Sequence, residues 1–156
     1  MTRIKSDELC CMDIEWYGID KNGKIAVFCS AGEANVPEFV CADKEKYEQL
    51  VDLFDRLTNT SDTMICFKPS KKNSKPVEVA EDFSGKGIYY FNSDDCSMSE
   101  KNIATLQRYY TITSKPVSPI KLINLPIEMQ ELLKENFLPI DDFDKMIIID
   151  VEHAYR

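Results

Sequence analysis

The sequence has few of the residues from which catalytic, redox and membrane segments are usually built. Its 156 residues include one histidine, one tryptophan and five glycines. No unbroken apolar run is longer than five residues, whereas a helix that spans a bilayer needs about 20. The N-terminus becomes acidic at Asp7 and Glu8 where a signal peptide would have an apolar core. We therefore expect a cytoplasmic protein with no export signal and no membrane segment.

Motifs that hold metals and cofactors are also missing. The chain contains no C-x-x-C pair, no G-x-G-x-x-G and no G-x-x-x-x-G-K-[ST], so neither a zinc site nor a phosphate-binding loop is predicted. The only histidine, His153, lies near the C-terminus, which disfavours a Cys-His or Ser-His pair. Asp94-Asp95 and the Asp141 region lack the spacing of a calcium loop. We expect no cofactor and no metal.

Six cysteines are present, and their surroundings predict free thiols. Cys29 and Cys66 lie in apolar segments, and the adjacent pair at 10 and 11 does not have a usual zinc spacing. We therefore expect reduced thiols packed as small hydrophobic side chains. Cys41 and Cys96 have more polar neighbours and are predicted to be exposed.

Charge is the strongest feature of the composition. There are 27 acidic and 19 basic side chains, which gives a net charge of −8. Residues 1–66 and 126–156 carry −6 and −5, while residues 67–125 carry +3 because lysines 68, 71, 72 and 75 share a loop rich in proline and serine. A negative chain without a basic, aromatic-rich patch is a poor ligand for phosphates, so no nucleic-acid partner is predicted.

The apolar content predicts that residues 1–156 form one folded domain. Apolar residues make up 44% of the chain, and a chain of this length buries about two-thirds of its unfolded surface without disulfides or metals. In the first half, alternating residues predict a β-hairpin over 13–19 and 24–29, closed by Gly23. Asp43 then caps a helix to about residue 58, against which Trp16 is expected to pack, and residues 63–67 form a short strand.

The second half has weaker signals. The expected elements are a short helical turn over 76–83, a strand over 88–91, a strand over 109–113, a brief pairing over 120–123, a second main helix that begins at Pro126 and ends before Pro139, and a strand over 145–151 that places Ile147, Ile149 and Val151 on one face. Strands and helices do not alternate as βαβ units. The fold class predicted is therefore α+β, a single domain with a mostly antiparallel sheet and two main helices.

Two carboxylates are candidates for acid–base chemistry. Glu15 lies on the first predicted strand beside Trp16 and Tyr17, and Glu33 lies on the loop that follows the hairpin. A carboxylate pair can hydrolyse glycosidic bonds when its separation is fixed, so a small hydrolase that uses Glu15 and Glu33 is one alternative. The other interpretation is that these residues are ordinary surface glutamates.

The order of several segments resembles a known group of proteins. Asp13-Ile14-Glu15-Trp16-Tyr17-Gly18-Ile19-Asp20, then Gly23 to Phe28 and Ser30-Ala31-Gly32-Glu33, is similar to the opening of small bacterial immunity-type proteins of polymorphic toxin systems and their uncharacterised relatives. Residues 86–92 and the segment from Tyr109 to Pro126 fit the same resemblance. The resemblance implies a non-catalytic binder and supplies no catalytic residue.

The expected function is therefore binding of a protein partner, an immunity role against a cationic toxin. An acidic surface speeds association with a basic partner. The predicted contact residues are Asp141, Asp142 and Asp144, which follow Pro139, together with Glu33; the loop over 30–36 is the next candidate. The remaining alternatives are the Glu15 and Glu33 hydrolase and a general interaction or scaffold domain. The sequence does not define an oligomeric state.

Overall fold

The computed structural model describes residues 2–9, 12–31, 34–67, 75–93 and 109–151. These residues form an α+β domain in which helices pack on a mostly antiparallel, six-stranded sheet, which confirms the predicted fold class. The helices are α1 (Ser6–Leu9), α2 (Glu38–Cys41), α3 (Lys44–Asp55), α4 (Lys75–Gly85) and α5 (Ile127–Leu133). The strands are β1 (Glu15–Ile19), β2 (Ile25–Cys29), β3 (Thr63–Ile65), β4 (Tyr89–Asn92), β5 (Tyr109–Pro116) and β6 (Ile148–Asp150).

The predicted hairpin is confirmed as the start of the sheet. β1 and β2 pair antiparallel, with Trp16 opposite Phe28. Gly23 adopts a φ of 83°, a left-handed conformation that costs glycine little because it has no Cβ. The turn therefore depends on glycine at this position.

Beyond the hairpin, one pairing departs from the antiparallel pattern. β2 pairs parallel with β4, because the chain passes through α2, α3, β3 and α4 between the two strands. β4 then pairs antiparallel with β5. The other edge of β5 is shared by two short strands, with β6 along its first residues and β3 along its last.

Helix α3 follows the predicted pattern closely. The side chain of Asp43 accepts a hydrogen bond from the backbone N–H of Lys46 and so caps the first turn. Leu50 and Phe54 are buried one turn apart, as expected for an amphipathic helix packed on a sheet. The ring of Phe54 stacks on Tyr17 with 3.9 Å between centroids.

Both faces of the sheet are buried, and this corrects the expected packing of Trp16. Trp16 is 1% exposed, as predicted, but it stacks on Phe28 with 4.1 Å between ring centroids and belongs to a different core cluster from Leu50 and Phe54. Neighbouring residues of a strand point to opposite faces, so the hairpin presents Trp16 to one layer and Tyr17 to the other. α3, α4 and α5 cover the Tyr17 face, and only the partly buried Tyr47 of α3 packs against the Trp16 cluster.

Other local predictions need correction in the second half. α4 is an 11-residue helix rather than a short turn, while α5, the expected second main helix, has 7 residues. In the segment over 120–123, Lys121 forms a single bridge with Lys24 before a 3-10 turn begins. Ile147 is 72% exposed and does not share the buried face of Ile149, because a 3-10 turn over Phe143–Lys145 shortens the last strand.

The thiols differ from expectation at two positions. Cys29, Cys41 and Cys66 form no disulfide bond, as predicted. Cys41 is fully buried because α2 packs its apolar side into the Trp16 cluster, whereas Cys66 lies exposed just after the edge strand β3. Predictions for Cys10, Cys11, Cys96, His153 and the loop lysines 68, 71 and 72 fall outside the described residues.

Candidate functional site

The acidic loop that follows Pro139 is held by its own carboxylates. Asp142 lies 2.9 Å from the Nζ atom of Lys24 and accepts a hydrogen bond from the backbone N–H of Asp144, which caps the 3-10 turn. The hydrogen bond from Lys24 lowers the pKa of Asp142, so this carboxylate stays charged. The carboxylate of Asp142 therefore serves mainly to hold the loop in its conformation.

Asp144 and Asp141 have different surroundings. The carboxylate of Asp144 accepts a hydrogen bond from the hydroxyl of Tyr89 at 3.2 Å, and Lys115 donates to its backbone oxygen at 2.5 Å. Burial, followed by the charge of Asp144, raises the pKa of Tyr89. Asp141 has a side chain 88% exposed, 3.1 Å from the exposed ammonium group of Lys21. Asp141 is therefore a strongly exposed carboxylate, whereas the side chain of Asp142 is only 17% exposed.

Asp20 anchors this loop to the hairpin, and the sequence analysis did not single it out. Its carboxylate is fully buried and accepts backbone N–H groups from Asn22 and Lys24 on Oδ1 and from Phe143 on Oδ2, each at 2.9 Å. Asn22 also donates its side-chain amide to the backbone oxygen of Asp141. An aspartate before a turn often bonds the backbone two residues on, so the first contact had a sequence signal. The contact with Phe143, across 123 positions, had none.

An apolar groove lies beside the acidic loop. It has a volume of about 450 Å³ and is lined by three segments of the chain, which are residues 37–39, residues 137–140, and Met146 with residues 149–151. The side chain of Phe137 at its edge is 51% exposed. Among these lining residues the charged ones are Glu38 and Asp150, both acidic and both exposed. This groove was not predicted, because its lining comes from three segments that are distant in the sequence.

The surroundings of Glu15 suit a structural carboxylate better than a catalytic one. Glu15 projects from β1 on the Tyr17 side of the sheet, and burial, then the charges of Asp13 and Asp55, raise its pKa. Lys86 opposes this shift. Glu15, Asp55 and Lys86 line a cavity of about 30 Å³, which has room for water but not for a sugar or a peptide. Glu33 lies outside the described residues, so its distance from Glu15 is not defined.

The described ends of the loop over 30–36 are turned inward. Ser30, Ala34 and Val36 are buried, and the hydroxyl of Ser30 accepts the backbone N–H of Ile14. Ala31 has a positive φ of 53° and donates its N–H to Asp13. The described part of this loop therefore offers little free surface to a partner.

Comparisons with known proteins found no match to a protein-family model, to a curated protein or to a solved structure. Within the described ranges, no group of three or more histidine, cysteine, aspartate or glutamate side chains is arranged to hold a metal ion. The same ranges contain no helix with the length and hydrophobicity needed to cross a membrane.

Proposed function

We propose that this protein is a non-catalytic binding protein that neutralises a cationic bacterial toxin, as an immunity-type protein does. The observation that carries the proposal is the groove, an open and mainly apolar concavity with a volume of about 450 Å³. Of its two lining carboxylates, Glu38 is paired with Arg3 and Asp150 is exposed. Binding surfaces between proteins combine an apolar centre with a polar rim, and the groove has both parts. The sequence resemblance described above supports the same class of function.

The charge of the chain supports a basic partner. At a net charge of −8, the field of the protein attracts a cationic protein and repels an anionic one. Asp141 adds an exposed carboxylate on the loop beside the groove, and Asn22, which donates to its backbone oxygen, helps to hold it in place. A surface already ordered in this way loses little conformational entropy when it binds. The buried thiols of Cys29 and Cys41, which form no disulfide bond, agree with action in a reducing cytoplasm.

The geometry favours binding over hydrolysis by Glu15. A general acid must reach the bond that it protonates, and the 30 Å³ cavity beside Glu15 does not admit a substrate. The raised pKa of Glu15 follows from burial between β1 and α3, where Phe54 and Asp55 line the same cavity. We therefore assign Glu15 to the fold and not to a reaction.

The proposal is tested with the product of a toxin gene that neighbours the gene for this protein. We expect the purified pair to form a complex by isothermal titration calorimetry, and co-expression to restore growth of cells that the toxin arrests. A toxin that stays fully active with excess protein would contradict the proposal. A hydrolytic turnover that disappears in Glu15→Gln, with the fold intact, would instead establish the hydrolase.

Asp141→Asn tests the part played by the acidic loop. Because its side chain is 88% exposed, this change leaves the loop contacts of Asp142 and Asp144 in place. We expect association with the toxin to slow by about twofold to threefold at low salt and by less at high salt. Glu131→Gln, at a carboxylate 71% exposed on α5, is the matched control. Equal rates for both variants would place the contact away from this loop.

A further inference from the structure

Two short strands lie end to end along one edge of the sheet. β3 and β6 both pair antiparallel with the same side of β5, so they run in the same direction. The N–H of Cys66 donates to Thr113, and the N–H of Ile112 donates to Ile147, so the end of β3 meets the start of β6. Both bonds form because Thr113 is a bulged residue that β4 does not pair with. We call β3 and β6 together the composite edge. Among the residues that the structure describes, no strand pairs with its outer side.

Three residues of the composite edge direct backbone groups away from β5. In an antiparallel pair, residues that bond the neighbouring strand alternate with residues whose N–H and C=O face the other way. On β3, Cys66 bonds β5, so Ile65 and Thr63 face outward. On β6, Ile147 bonds β5, so Ile148 faces outward. An edge of this kind pairs with another extended chain.

The outward residues lie symmetrically about the junction of the two strands. Ile65 is the second residue before the junction, and Ile148 is the second residue after it. A two-fold axis through the junction therefore places Ile65 of one copy opposite Ile148 of the other, at two equivalent contacts. Thr63 and Asp150 are each the fourth residue from the junction, so the same axis brings them opposite each other. The composite edge is thus complementary to itself.

The side chains of the composite edge fit the same arrangement. Ile65 packs on the face of the sheet that α3, α4 and α5 cover, and Ile149 packs on the other face. Ile148 points to the helix face, because neighbours in a strand alternate, and Met64 points away from it for the same reason. A two-fold axis perpendicular to the sheet keeps each side chain on its own face. Ile65 therefore meets Ile148, and Met64 meets Ile149. Met64 and Ile148 are 55% and 45% exposed, so this contact removes apolar surface from water.

We infer that the composite edge binds a second copy of this chain, in a two-fold dimer where β3 of each copy pairs antiparallel with β6 of the other. Ile65 and Ile148 exchange two backbone hydrogen bonds at each contact, and the two sheets become one. The symmetric positions favour a second copy over an unrelated strand, which would need no such symmetry. This inference goes beyond the proposed function and does not depend on it.

Analytical ultracentrifugation from low micromolar to near-millimolar concentration tests whether the dimer forms. We expect a reversible equilibrium between monomer and dimer. Each copy carries a net charge of −8, so the copies repel each other, and high salt should shift the equilibrium toward the dimer by screening this repulsion. A chain that stays monomeric at every concentration and at both low and high salt would overturn the inference.

Two matched variants locate the interface. Ile148→Lys places a cation against Ile65 of the other copy and should weaken dimerisation by about tenfold or more. Ile123→Lys makes the same change at an isoleucine that is 78% exposed and is not part of the composite edge, and it should leave the dissociation constant within about twofold. Because both variants change the net charge equally, the comparison isolates the position. Circular dichroism checks that both are folded. Met64→Lys is a second variant of the edge, expected to weaken dimerisation in the same direction. Equal dissociation constants for the edge variants and the control would overturn the inference.

Hydrogen exchange tests the backbone pairing directly. The amides of Ile65 and Ile148 should exchange about tenfold more slowly at concentrations where the dimer forms. The amides of Met64 and Ile149 bond β5 in the monomer as well, so their exchange is the matched control. A dimer that leaves Ile65 and Ile148 unprotected would place the interface elsewhere and overturn the inference. A monomer whose Ile65 and Ile148 amides are protected only by the toxin would identify a partner strand as the occupant and also overturn it.

Discussion

Asp20→Asn tests whether the acidic loop is held to the hairpin by one buried carboxylate. Asp20 is fully buried and accepts three backbone N–H groups, two from its own turn and one from Phe143. Asparagine has nearly the same shape but replaces one acceptor oxygen with an NH₂ group. In its best orientation it keeps the two turn contacts and places a donor against the N–H of Phe143.

The cost of this change follows from the groups left without a partner. A buried donor without an acceptor costs about 1–3 kcal/mol, and here two donors face each other. The remaining contacts weaken because the acceptor is no longer charged, while the neutral side chain is easier to bury. We therefore expect the free energy of unfolding to fall by about 2–4 kcal/mol. With a urea slope of about 2 kcal/mol per molar, the midpoint should fall by about 1–2 M.

Urea denaturation followed by circular dichroism measures this difference. Hydrogen exchange provides a second readout, since the Phe143 amide should exchange faster when its acceptor is lost. Asp141→Asn is the matched control, and because its side chain is 88% exposed it should change stability by less than about 0.5 kcal/mol. If Asp20→Asn and the control have equal free energies of unfolding, and the Phe143 amide exchanges at its wild-type rate, the role of Asp20 as an anchor is refuted.

Three further changes test the core, the half-buried carboxylate and the thiols. Leu50→Ala should cost about 2–5 kcal/mol in urea denaturation, because Leu50 is 4% exposed against the Tyr17 face of the sheet, and a cost below 1 kcal/mol would contradict its place in the core. Burial raises the pKa of Glu15 above 4.5, so the native state binds more protons than the unfolded state and stability falls as the pH rises from 4.5 through the raised value. Glu15→Gln should remove that loss and unfold at higher urea than wild type at pH 7 but not at pH 4, whereas lower stability at pH 7 would show that the charge is favourable. Cys66→Ser should remove one thiol that reacts quickly with Ellman's reagent in the native protein, whereas Cys41→Ser should remove one that reacts only after unfolding; equal reactivity of the two would contradict their exposures.

Local signals in the sequence were sufficient for the hairpin and for helix α3. The hairpin was predictable because alternating residues and Gly23 specify strands and a turn within a few positions. Helix α3 was predictable because Asp43 caps it and Leu50 and Phe54 repeat at helical spacing. Signals of this kind depend on residues within one or two turns of the chain. They can therefore be recognised without knowing which other segments pack against the element.

Residues near the last strand show where local signals were insufficient. Alternation placed Ile147 with Ile149, but the strand that follows the 3-10 turn over Phe143–Lys145 has only three residues and begins after Ile147. The formation of that turn depends on Asp142, Lys24 and the buried carboxylate of Asp20. A contact across more than a hundred positions decides the geometry, and no short pattern encodes it.

The sequence by itself determined the fold class, the net negative charge and the order of the hairpin, helix α3 and strand β3, whereas helices α1 and α2 were not predicted. Only the tertiary structure decided which layer each apolar residue faces: Trp16 and Tyr17 are adjacent in the chain but lie in different core clusters, because a strand directs neighbours to opposite sides of a sheet that is covered on both. It also decided that Asp142 holds its own loop and that Phe137 borders a groove. Charge and hydrophobicity are properties of the residue, whereas a binding surface forms only where folding brings distant segments together.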